Sequence, residues 1–200
     1  MGATASPPWQ ALRRCYSSRP CWLQCSGPGR FSLLLAAVLW TMGRPPICTC
    51  GTIAIWGEVG PRQSQMLFDW YSPSHLVHGF IFYALLNALW RGATAEQRLA
   101  AALAVEAAWE IVENTPMVID RYREATAALG YSGDSILNSA SDMMMMAAGF
   151  AAARRLPLWA SLVLVLALEI VPLIAIRDNL TLNLWMLLAP SEAIKSWQVA

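Results

Sequence analysis

Apolar residues occur in five runs that are separated by short polar or proline-containing segments. The runs cover residues 31–42, 74–90, 99–112, 143–153 and 156–176. A helix needs about 20 mostly apolar residues to cross about 30 Å of hydrocarbon. The pattern therefore predicts an all-α fold, an integral membrane bundle of about five transmembrane helices, built as a single domain over residues 31–200.

Proline and N-capping residues mark where these predicted helices begin and end. Pro45 and Pro46 end the first helix, because proline lacks an amide proton and fixes its own backbone angle. The Gly-Asp-Ser segment at 133–135 supplies an N-cap for the fourth helix. Residues 118–123 predict a short interfacial helix. The apolar stretch 182–189 is too short to span a membrane, so we expect it to be interfacial or re-entrant.

The composition favours a membrane protein over a soluble one. The chain is 56% apolar and 14% charged, whereas roughly a quarter of the residues in soluble domains are charged. The net charge of +1 gives no reason to expect a nucleic-acid partner, and the lipid bilayer is the expected one. Five irregularly spaced cysteines do not predict a disulfide framework. Cys48 and Cys50 form a lone CxC pair, for which a redox or metal role is the less favoured alternative to simple packing.

The amino-terminal residues 1–30 contain four arginines and no acidic residue, and prolines and glycines interrupt them. This composition predicts a disordered basic tail before an uncleaved first helix. A transit peptide and a start codon assigned too far upstream are the alternatives. Eight of the basic residues fall on the N-terminal side of the membrane and six on the other side, so the positive-inside rule places the N-terminus in the cytoplasm. The predicted location is the plasma (inner) membrane.

Polar residues accumulate at one end of the predicted bundle. Antiparallel neighbours bring the start of the second helix, the end of the third and the start of the fourth to the non-cytoplasmic face. Residues three or four apart share one face of a helix, so the acidic residues form stripes inside apolar segments. Such residues are costly in a bilayer and indicate function by default. The set is His75, His78, Glu106, Glu110, Glu113, Asp134, Asn138, Asp142 and Glu169.

These residue types suit acid–base chemistry or metal binding. The candidate catalytic residues are Glu110, Glu113, Asp134, Asn138 and His78, acting as general acids or bases. The candidate metal ligands are His75, His78, Glu110 and Asp134. Histidine with carboxylate suits zinc, iron or manganese, and carboxylate with asparagine suits magnesium or calcium. The sequence does not assign a cofactor, and a divalent metal is the candidate. A purely structural network of hydrogen bonds between helices is the alternative.

A second group of polar residues lies in the loops on the same side. The candidate substrate-binding residues are Asp120, Arg121, Arg123, Arg177, Asp178 and Asn179. Guanidinium groups bind carboxylates and phosphates through two parallel hydrogen bonds. The arginines therefore predict that an anionic lipid or an envelope precursor binds here.

Several longer motifs resemble one bacterial family. They include Ser74-His75-x-x-His78-Gly79-Phe80, Trp109-Glu110-Ile111-x-Glu113-Asn114, Ile119-Asp120-Arg121-Tyr122-Arg123, Gly133-Asp134-Ser135-x-x-Asn138 and Ile176-Arg177-Asp178-Asn179-Leu180-Thr181. The family is uncharacterised protein family 0314, also called domain of unknown function 2585, and is typical of alphaproteobacteria. The resemblance covers about residues 42–198 and implies a multi-pass inner-membrane protein, but it supplies no activity. A fainter likeness is to VanZ-like membrane proteins.

Three functions follow as hypotheses. The first is a membrane enzyme that acts on a polar-headed lipid or envelope precursor. The second is an ion- or proton-coupled small carrier, with Glu106, Asp142 and Glu169 as deeper relay positions. The third is a structural or assembly protein without chemistry.

Overall fold

The computed structural model describes residues 28–60, 62–126 and 130–199. Eight helices occur in these ranges: α1 Pro28–Thr41, α2 Ser72–Leu89, α3 Ala95–Glu113, α4 Pro116–Ala125, α5 Ile136–Arg155, α6 Leu158–Ile176, α7 Leu180–Leu188 and α8 Glu192–Val199. A basic tail was predicted for residues 1–30, and residues 1–27 of it lie outside the described residues. The first helix begins at Pro28, three residues before the predicted start of the domain.

The all-α prediction is confirmed for the part of the chain that the structure describes. Its β structure is limited to an isolated parallel bridge between Trp56 and Phe68. Among the described helices, only α6 is both long enough and apolar enough to cross a membrane, with a mean hydropathy of 2.4. The apolar helix α1 is shorter. The finer prediction of five spans therefore stays a prediction.

Short polar side chains fix the start of several helices. Thr94 and Gln97 form a capping box at the start of α3, in which each side chain accepts a hydrogen bond from the other's backbone amide. Ser135 caps α5 through the Asn138 amide, so that this helix begins at Ile136, three residues after the predicted Gly133. Asn179 caps α7 through the amide of Leu182. These caps satisfy amides that have no partner within the first helical turn.

The closest contact between helices joins α2 and α5. A side chain built on Gly79 of α2 would collide with backbone atoms of Met146, Gly149 and Phe150 in α5. A side chain on Gly149 would collide with the backbone of Leu76 in α2. Glycine is therefore required on both helices, because any Cβ would force their backbones apart. This crossing fixes the position of the polar residues that begin each helix.

An apolar cluster lies beside this crossing and joins four helices. Its fully buried members come from α1, α3 and α5: Leu35, Leu39, Ala102, Leu103, Met143, Met146 and Phe150. Phe150 also contacts Tyr83 of α2 edge to face, with 5.3 Å between the ring centroids. Burial of these side chains stabilises the bundle by removing apolar surface from solvent.

The loop between α1 and α2 packs over the start of α5. The Ile136 amide donates to the Pro45 carbonyl at 2.9 Å, and the Leu137 amide donates to the Pro46 carbonyl at 3.1 Å. Cys48 and Cys50 form a disulfide within this loop. The loop thus supplies partners to the first amides of α5 and covers one side of the polar cluster.

Candidate functional site

Two histidines of α2 share one carboxylate of α3 inside the bundle. Nδ1 of His75 lies 2.6 Å from Oε1 of Glu106, and Nδ1 of His78 lies 3.0 Å from Oε2 of the same residue. Glu106 is fully buried. Because a carboxylate accepts hydrogen bonds, each ring donates through Nδ1, which leaves the Nε2 lone pair of each ring available. A carboxylate that fixes the histidine tautomer in this way is common beside bound metals.

The two rings have different surroundings. Nε2 of His75 faces α5 and lies 3.8 Å from Oδ2 of Asp142. The His78 ring stacks on Phe82, with 5.7 Å between centroids, and meets Trp109 edge to face. His75 therefore faces further carboxylates, whereas His78 is packed among aromatic rings.

Glu110 lies one turn beyond Glu106 on α3 and has no hydrogen bond to either carboxylate oxygen. Its side chain is 1% exposed, and its Oε1 lies 3.5 Å from Nδ1 of His75. A buried carboxylate without a donor is costly, because burial removes the water that would solvate it. His75, Glu110 and Asp142 offer ligand atoms that all lie within 4.8 Å of one another, and so do His75, His78 and Glu106. Both groups have the size and chemistry of a divalent-metal site.

A polar cavity opens beside this cluster. It contains about 410 Å³ of space free of protein atoms, including the part that is open to solvent. Its lining consists of Gln63, Ser64, Asp69, Tyr71, His75, Glu113, Tyr122, Tyr131, Asp134, Asn138, Asp142 and Asn183. Four of these residues are carboxylates, and no lysine or arginine is among the described residues that form the wall. The wall is therefore rich in carboxyl groups, and His75 and Asp142 connect the cavity to the buried cluster.

Three tyrosines hold the carboxylates of this region. The Tyr131 hydroxyl donates to Asp134 at 3.0 Å, and the Tyr71 hydroxyl donates to Asp178 at 2.7 Å. The Tyr122 hydroxyl lies 3.1 Å from Oε1 of Glu113 and 2.8 Å from Oδ1 of Asn183. The rings of Tyr122 and Tyr131 are 5.3 Å apart and nearly perpendicular, at 78°. The tyrosines therefore contribute two aromatic walls as well as hydroxyl donors.

Burial shifts the acid–base equilibria of the loop groups. It raises the pKa of the Asp134 carboxyl, although hydrogen bonds from Asn114 and Tyr131 act in the opposite direction. Burial also raises the pKa values of Tyr71, Tyr122 and Tyr131 well above that of an ordinary tyrosine. The three hydroxyls consequently remain protonated hydrogen-bond donors at neutral pH.

The predicted catalytic and metal residues lie at three positions. Glu113, Asp134 and Asn138 line the cavity, Glu110 lies behind His75, and His78 bonds Glu106. Asp134 accepts hydrogen bonds from Asn114 and Tyr131 and belongs to neither three-residue cluster. Asn138 donates its side-chain amide to the Met66 carbonyl at 3.0 Å.

The predicted arginines are not part of the cavity lining, and each donates to a backbone carbonyl. Arg121 donates to the Leu187 carbonyl at 3.0 Å and Arg177 to the Trp197 carbonyl at 2.9 Å. Arg123 donates to the Tyr131 carbonyl at 2.6 Å. These bonds hold α4, the loop after it and the C-terminal helices together.

Of the remaining predicted substrate-binding residues, Asp178 and Asn179 join segments, whereas Asp120 pairs within α4. Asp120 and Arg123 form an exposed pair with 3.5 Å between charged atoms. Asp178 accepts from the Tyr71 hydroxyl, and the Asn179 side chain donates to the Glu169 carbonyl at 3.2 Å. These residues connect α2, α6 and α7 behind the cavity.

Sequence reasoning did not assign a site role to the tyrosines or to Asp69. Asp69 and Tyr71 immediately precede the helix that carries His75 and His78, and Tyr122 lies between Arg121 and Arg123, so proximity to predicted site residues was the available signal. Asp69 accepts hydrogen bonds from the amides of Ser64 and Tyr71, both at 2.7 Å, so its charge is held by the backbone. Glu106 and Asp142 were placed in the acidic stripes, but not among the metal ligands.

Comparison with known proteins gives a consistent family. Residues 39–200 match the family described as "Protein of unknown function (DUF2585)". A "UPF0314 protein" of Sphingopyxis alaskensis is 56% identical over 167 residues, which cover 82% of this chain and 89% of the relative. UPF0314 protein Atu8092 of Agrobacterium fabrum is 51% identical over 170 residues, with 84% and 86% covered. No solved structure gives a significant match. The chain belongs to the DUF2585 family, whose curated relatives are called UPF0314 proteins.

Proposed function

We propose that this protein is a multi-pass membrane enzyme that uses a divalent metal to act on the headgroup of a lipid or envelope precursor. The distribution of side chains supports the membrane part of this proposal. Large apolar residues are exposed along several helices, including Leu33 of α1, Leu85 of α2, Val105 of α3 and Met144 of α5. Charged and amide side chains are buried inside, which is the arrangement expected where lipid replaces water around the bundle.

The Cys48–Cys50 disulfide supports an orientation for the site. Disulfides persist in oxidising compartments and are rare in the cytoplasm. The loop that carries this disulfide also contributes Gln63, Ser64 and Asp69 to the cavity wall. We therefore place the cavity on the non-cytoplasmic side of the inner membrane, where envelope lipids and precursors are exposed.

The metal site consists of His75, Glu110 and Asp142. Glu106 orients His75 through Nδ1, so that Nε2 points toward Asp142. A metal bound here would polarise a phosphoryl or carbonyl oxygen of the substrate and lower the pKa of bound water. Glu113 of the cavity wall would act as the general acid or base, since it lies next to the solvent-accessible space.

One observation carries the proposal: both oxygens of Glu110 are buried without a hydrogen-bond donor, beside an imidazole and a second carboxylate. A structural network would give this carboxylate a donor, as Asp69 and Asp134 have. A metal ion supplies the missing positive charge and ligand bonds.

Metal analysis of the purified full-length chain tests the site. We expect about one zinc, manganese or iron per chain in the wild type. Glu110→Gln and His75→Ala should each weaken binding at least about tenfold. Glu113→Gln is the matched control, because the same substitution one turn away should leave the metal content unchanged. If correctly folded wild-type protein remains free of metal after reconstitution with each ion in turn, the proposed metal-dependent enzyme is rejected.

Envelope lipid profiling then tests the activity. A strain without the protein should accumulate a headgroup precursor, and complementation with Glu110→Gln should not restore the profile. If the protein is instead a proton-coupled carrier, its function should require Glu106 and Asp142. The lipid profile of the strain without the protein should then be unchanged. If Glu110→Leu with Asp142→Leu raises stability and the strain shows no defect, the cluster is structural.

A further inference from the structure

We propose that the Cys48–Cys50 disulfide is a redox-active site that exchanges with the dithiol of another molecule. The proposed function uses this disulfide only to orient the cavity, and neither cysteine belongs to the metal cluster. The exchange therefore goes beyond the proposed enzyme and does not depend on it. The disulfide closes a very short loop, one of its cysteines is exposed, and a hydrogen-bond donor lies beside each of its sulfurs.

The loop that the disulfide closes is too short for a strong structural role. Thr49 alone separates the two cysteines. A disulfide stabilises a fold mainly by restricting the unfolded chain, and this effect increases with the length of the closed loop. The turn is also held by a backbone hydrogen bond, in which the Gly51 amide donates to the Cys48 carbonyl at 3.0 Å. Stabilisation of the fold is therefore a weak explanation for this pair.

The two cysteines differ in their access to solvent. Cys48 is only 4% exposed, whereas Cys50 is exposed. Its neighbours Thr49, Gly51 and Thr52 are exposed as well. A Cβ built on Gly51 would meet nothing within 4 Å, so there is open space beside the disulfide. Exchange requires access to the sulfur that is attacked, and exposed disulfides are the labile or catalytic ones. An incoming thiolate therefore reaches Cys50, while Cys48 is shielded.

Each sulfur lies beside a hydrogen-bond donor. The Cys50 amide donates to Sγ of Cys48 at 3.2 Å. The Thr52 hydroxyl lies 3.0 Å from Sγ of Cys50 and is the donor, because a sulfur in a disulfide carries no hydrogen. Both donors would bind a thiolate more strongly than a disulfide sulfur, since hydrogen bonds to charged acceptors are the stronger ones. They therefore stabilise the reduced pair and the sulfur that leaves during exchange.

The exchange consists of two displacements. One thiolate of the incoming dithiol attacks Sγ of Cys50 and forms a mixed disulfide, while the bond to Cys48 breaks and its electron pair leaves with Cys48 as a thiolate. The second thiolate of the dithiol then attacks the sulfur bonded to Cys50, which closes the disulfide of the incoming molecule and releases Cys50 as a thiolate. The two protons of the dithiol pass through solvent to the two cysteines. The dithiol is thus oxidised by two electrons, and the Cys48–Cys50 disulfide is reduced to two thiols.

Equilibration with a thiol buffer tests the inference. The full-length chain, in nanodiscs of phosphatidylethanolamine and phosphatidylglycerol with EDTA present, is incubated without oxygen in mixtures of reduced and oxidised glutathione. The samples are then quenched with acid and alkylated. Mass spectrometry of the peptide that carries residues 48 and 50 gives its reduced fraction separately from the other three cysteines. The same mixtures applied to the chain denatured in SDS give the reference for a pair without a fold around it.

We expect the native pair to be reduced more easily than the denatured pair, or within about tenfold of it. A structural disulfide is harder to reduce in the folded chain, by the factor with which it stabilises the fold. A native pair that is more than about tenfold harder to reduce than the denatured pair would therefore overturn the inference. That result would leave metal binding by His75, Glu110 and Asp142 unaffected.

Substitutions test the roles of the individual groups. In Cys48→Ser, the remaining Cys50 thiol should form a mixed disulfide with oxidised glutathione at least about tenfold faster than the Cys48 thiol in Cys50→Ser. Equal rates in the two folded variants would overturn the assignment of Cys50 as the attacked sulfur. Thr52→Val removes the hydroxyl donor and should disfavour the reduced pair about threefold. Thr49→Val makes the same change on the exposed residue between the cysteines and is the matched control.

Two dithiols distinguish the source of the electrons. Dihydrolipoate is a small soluble dithiol, and a reduced peptide with a Cys-x-x-Cys pair represents a protein partner. Faster reduction of the native pair by the peptide, at equal thiol concentration, would support a protein dithiol as the partner. Faster reduction by dihydrolipoate would support a small molecule. A native pair that resists both dithiols but is reduced by them after denaturation would overturn the inference.

Discussion

Gly79 of α2 and Gly149 of α5 lie against each other, with no space for a side chain on either residue. The crossing that they allow sets the distance from His75, four residues before Gly79, to Asp142, seven residues before Gly149. The geometry of the polar cluster is therefore determined by packing one to two turns away from it.

We expect Gly149→Ala to destabilise the bundle, because its methyl group would collide with the Leu76 backbone, which cannot move without shifting α2. Overpacking of this kind costs about 1–3 kcal/mol, which corresponds to a fall in Tm of roughly 2–4 °C for each kcal/mol in a chain of this size. Gly92→Ala is the control, since nothing lies within 4 Å of a Cβ built there. Equal melting temperatures for the two variants would contradict the close crossing.

A second prediction concerns Arg44, which connects the α1–α2 loop to the start of α5. Its Nη2 donates to the Ser132 carbonyl at 2.6 Å and its Nε to the Asp134 carbonyl at 3.1 Å. Lysine cannot make both bonds, because it lacks the planar fork of the guanidinium group. Arg44→Lys should therefore destabilise the protein by about 1–2 kcal/mol in thermal unfolding.

The matched control for Arg44→Lys is Arg62→Lys. Arg62 forms an exposed pair with Glu58 at 3.0 Å, and exposed pairs of this type contribute about 0–1 kcal/mol. If both substitutions change Tm equally, Arg44 does not hold the loop in the way that these bonds indicate.

Helical periodicity was sufficient to predict which residues share a face, but not which atoms pair. The spacing of Glu106 and Glu110 placed both on one side of α3, and both lie within reach of His75 in the structure. The choice of Glu106 as the common acceptor for His75 and His78 depends on how α2 crosses its neighbours. That crossing depends on Gly79 and on long-range packing, which a local pattern does not encode.

The loop residues were harder to interpret for a different reason. Arg121 and Arg177 occur in polar segments, so the sequence favoured binding of an anionic ligand. Their actual acceptors, the carbonyls of Leu187 and Trp197, come from α7 and α8. The local pattern indicates no helix at α8, and it predicts residues 182–189 only as an interfacial or re-entrant segment. Neither prediction indicates that these carbonyls lie beside the arginines.

The stability that Asp178 contributes should depend on pH. Burial raises the pKa of its carboxyl above the ordinary value of 3.8, although hydrogen bonds from Tyr71 and Asn179 partly oppose the shift. The native state therefore favours the protonated acid more than the unfolded state does. This contribution is fully present below about pH 3.8 and is lost as the pH rises through the folded-state pKa.

Asp178→Asn removes the titration and keeps a neutral side chain of the same shape. We expect the difference in Tm, wild type minus variant, to decrease as the pH rises from about 4 to neutrality. Asp120→Asn is the control, because Asp120 is exposed and pairs only with Arg123 among the described residues. A difference that is constant with pH, or that increases with it, would show that the buried carboxyl is not the group responsible.

The last prediction concerns Glu106, which we expect to position His75 rather than to bind the metal itself. Its two oxygens accept from Nδ1 of His75 and Nδ1 of His78, so the carboxylate determines which nitrogen of each ring carries the proton. Glu106→Gln keeps the shape but also presents an amide donor. One ring must then either rotate or change its tautomer, and Nε2 of His75 would no longer be held toward Asp142.

Loss of such an orienting carboxylate costs about 10–100-fold in metal affinity. Competition with a fluorescent chelator, applied to purified wild type, Glu106→Gln and Glu110→Gln, separates the two roles. Glu106→Gln should bind metal with weakened affinity but reach full occupancy at high metal concentration. Glu110→Gln should lose a ligand of the metal, and X-ray absorption spectra should show the altered coordination. The same altered coordination in Glu106→Gln would mean that the metal is bound by His75, His78 and Glu106 instead. The ligand atoms of these three residues also lie within 4.8 Å of one another.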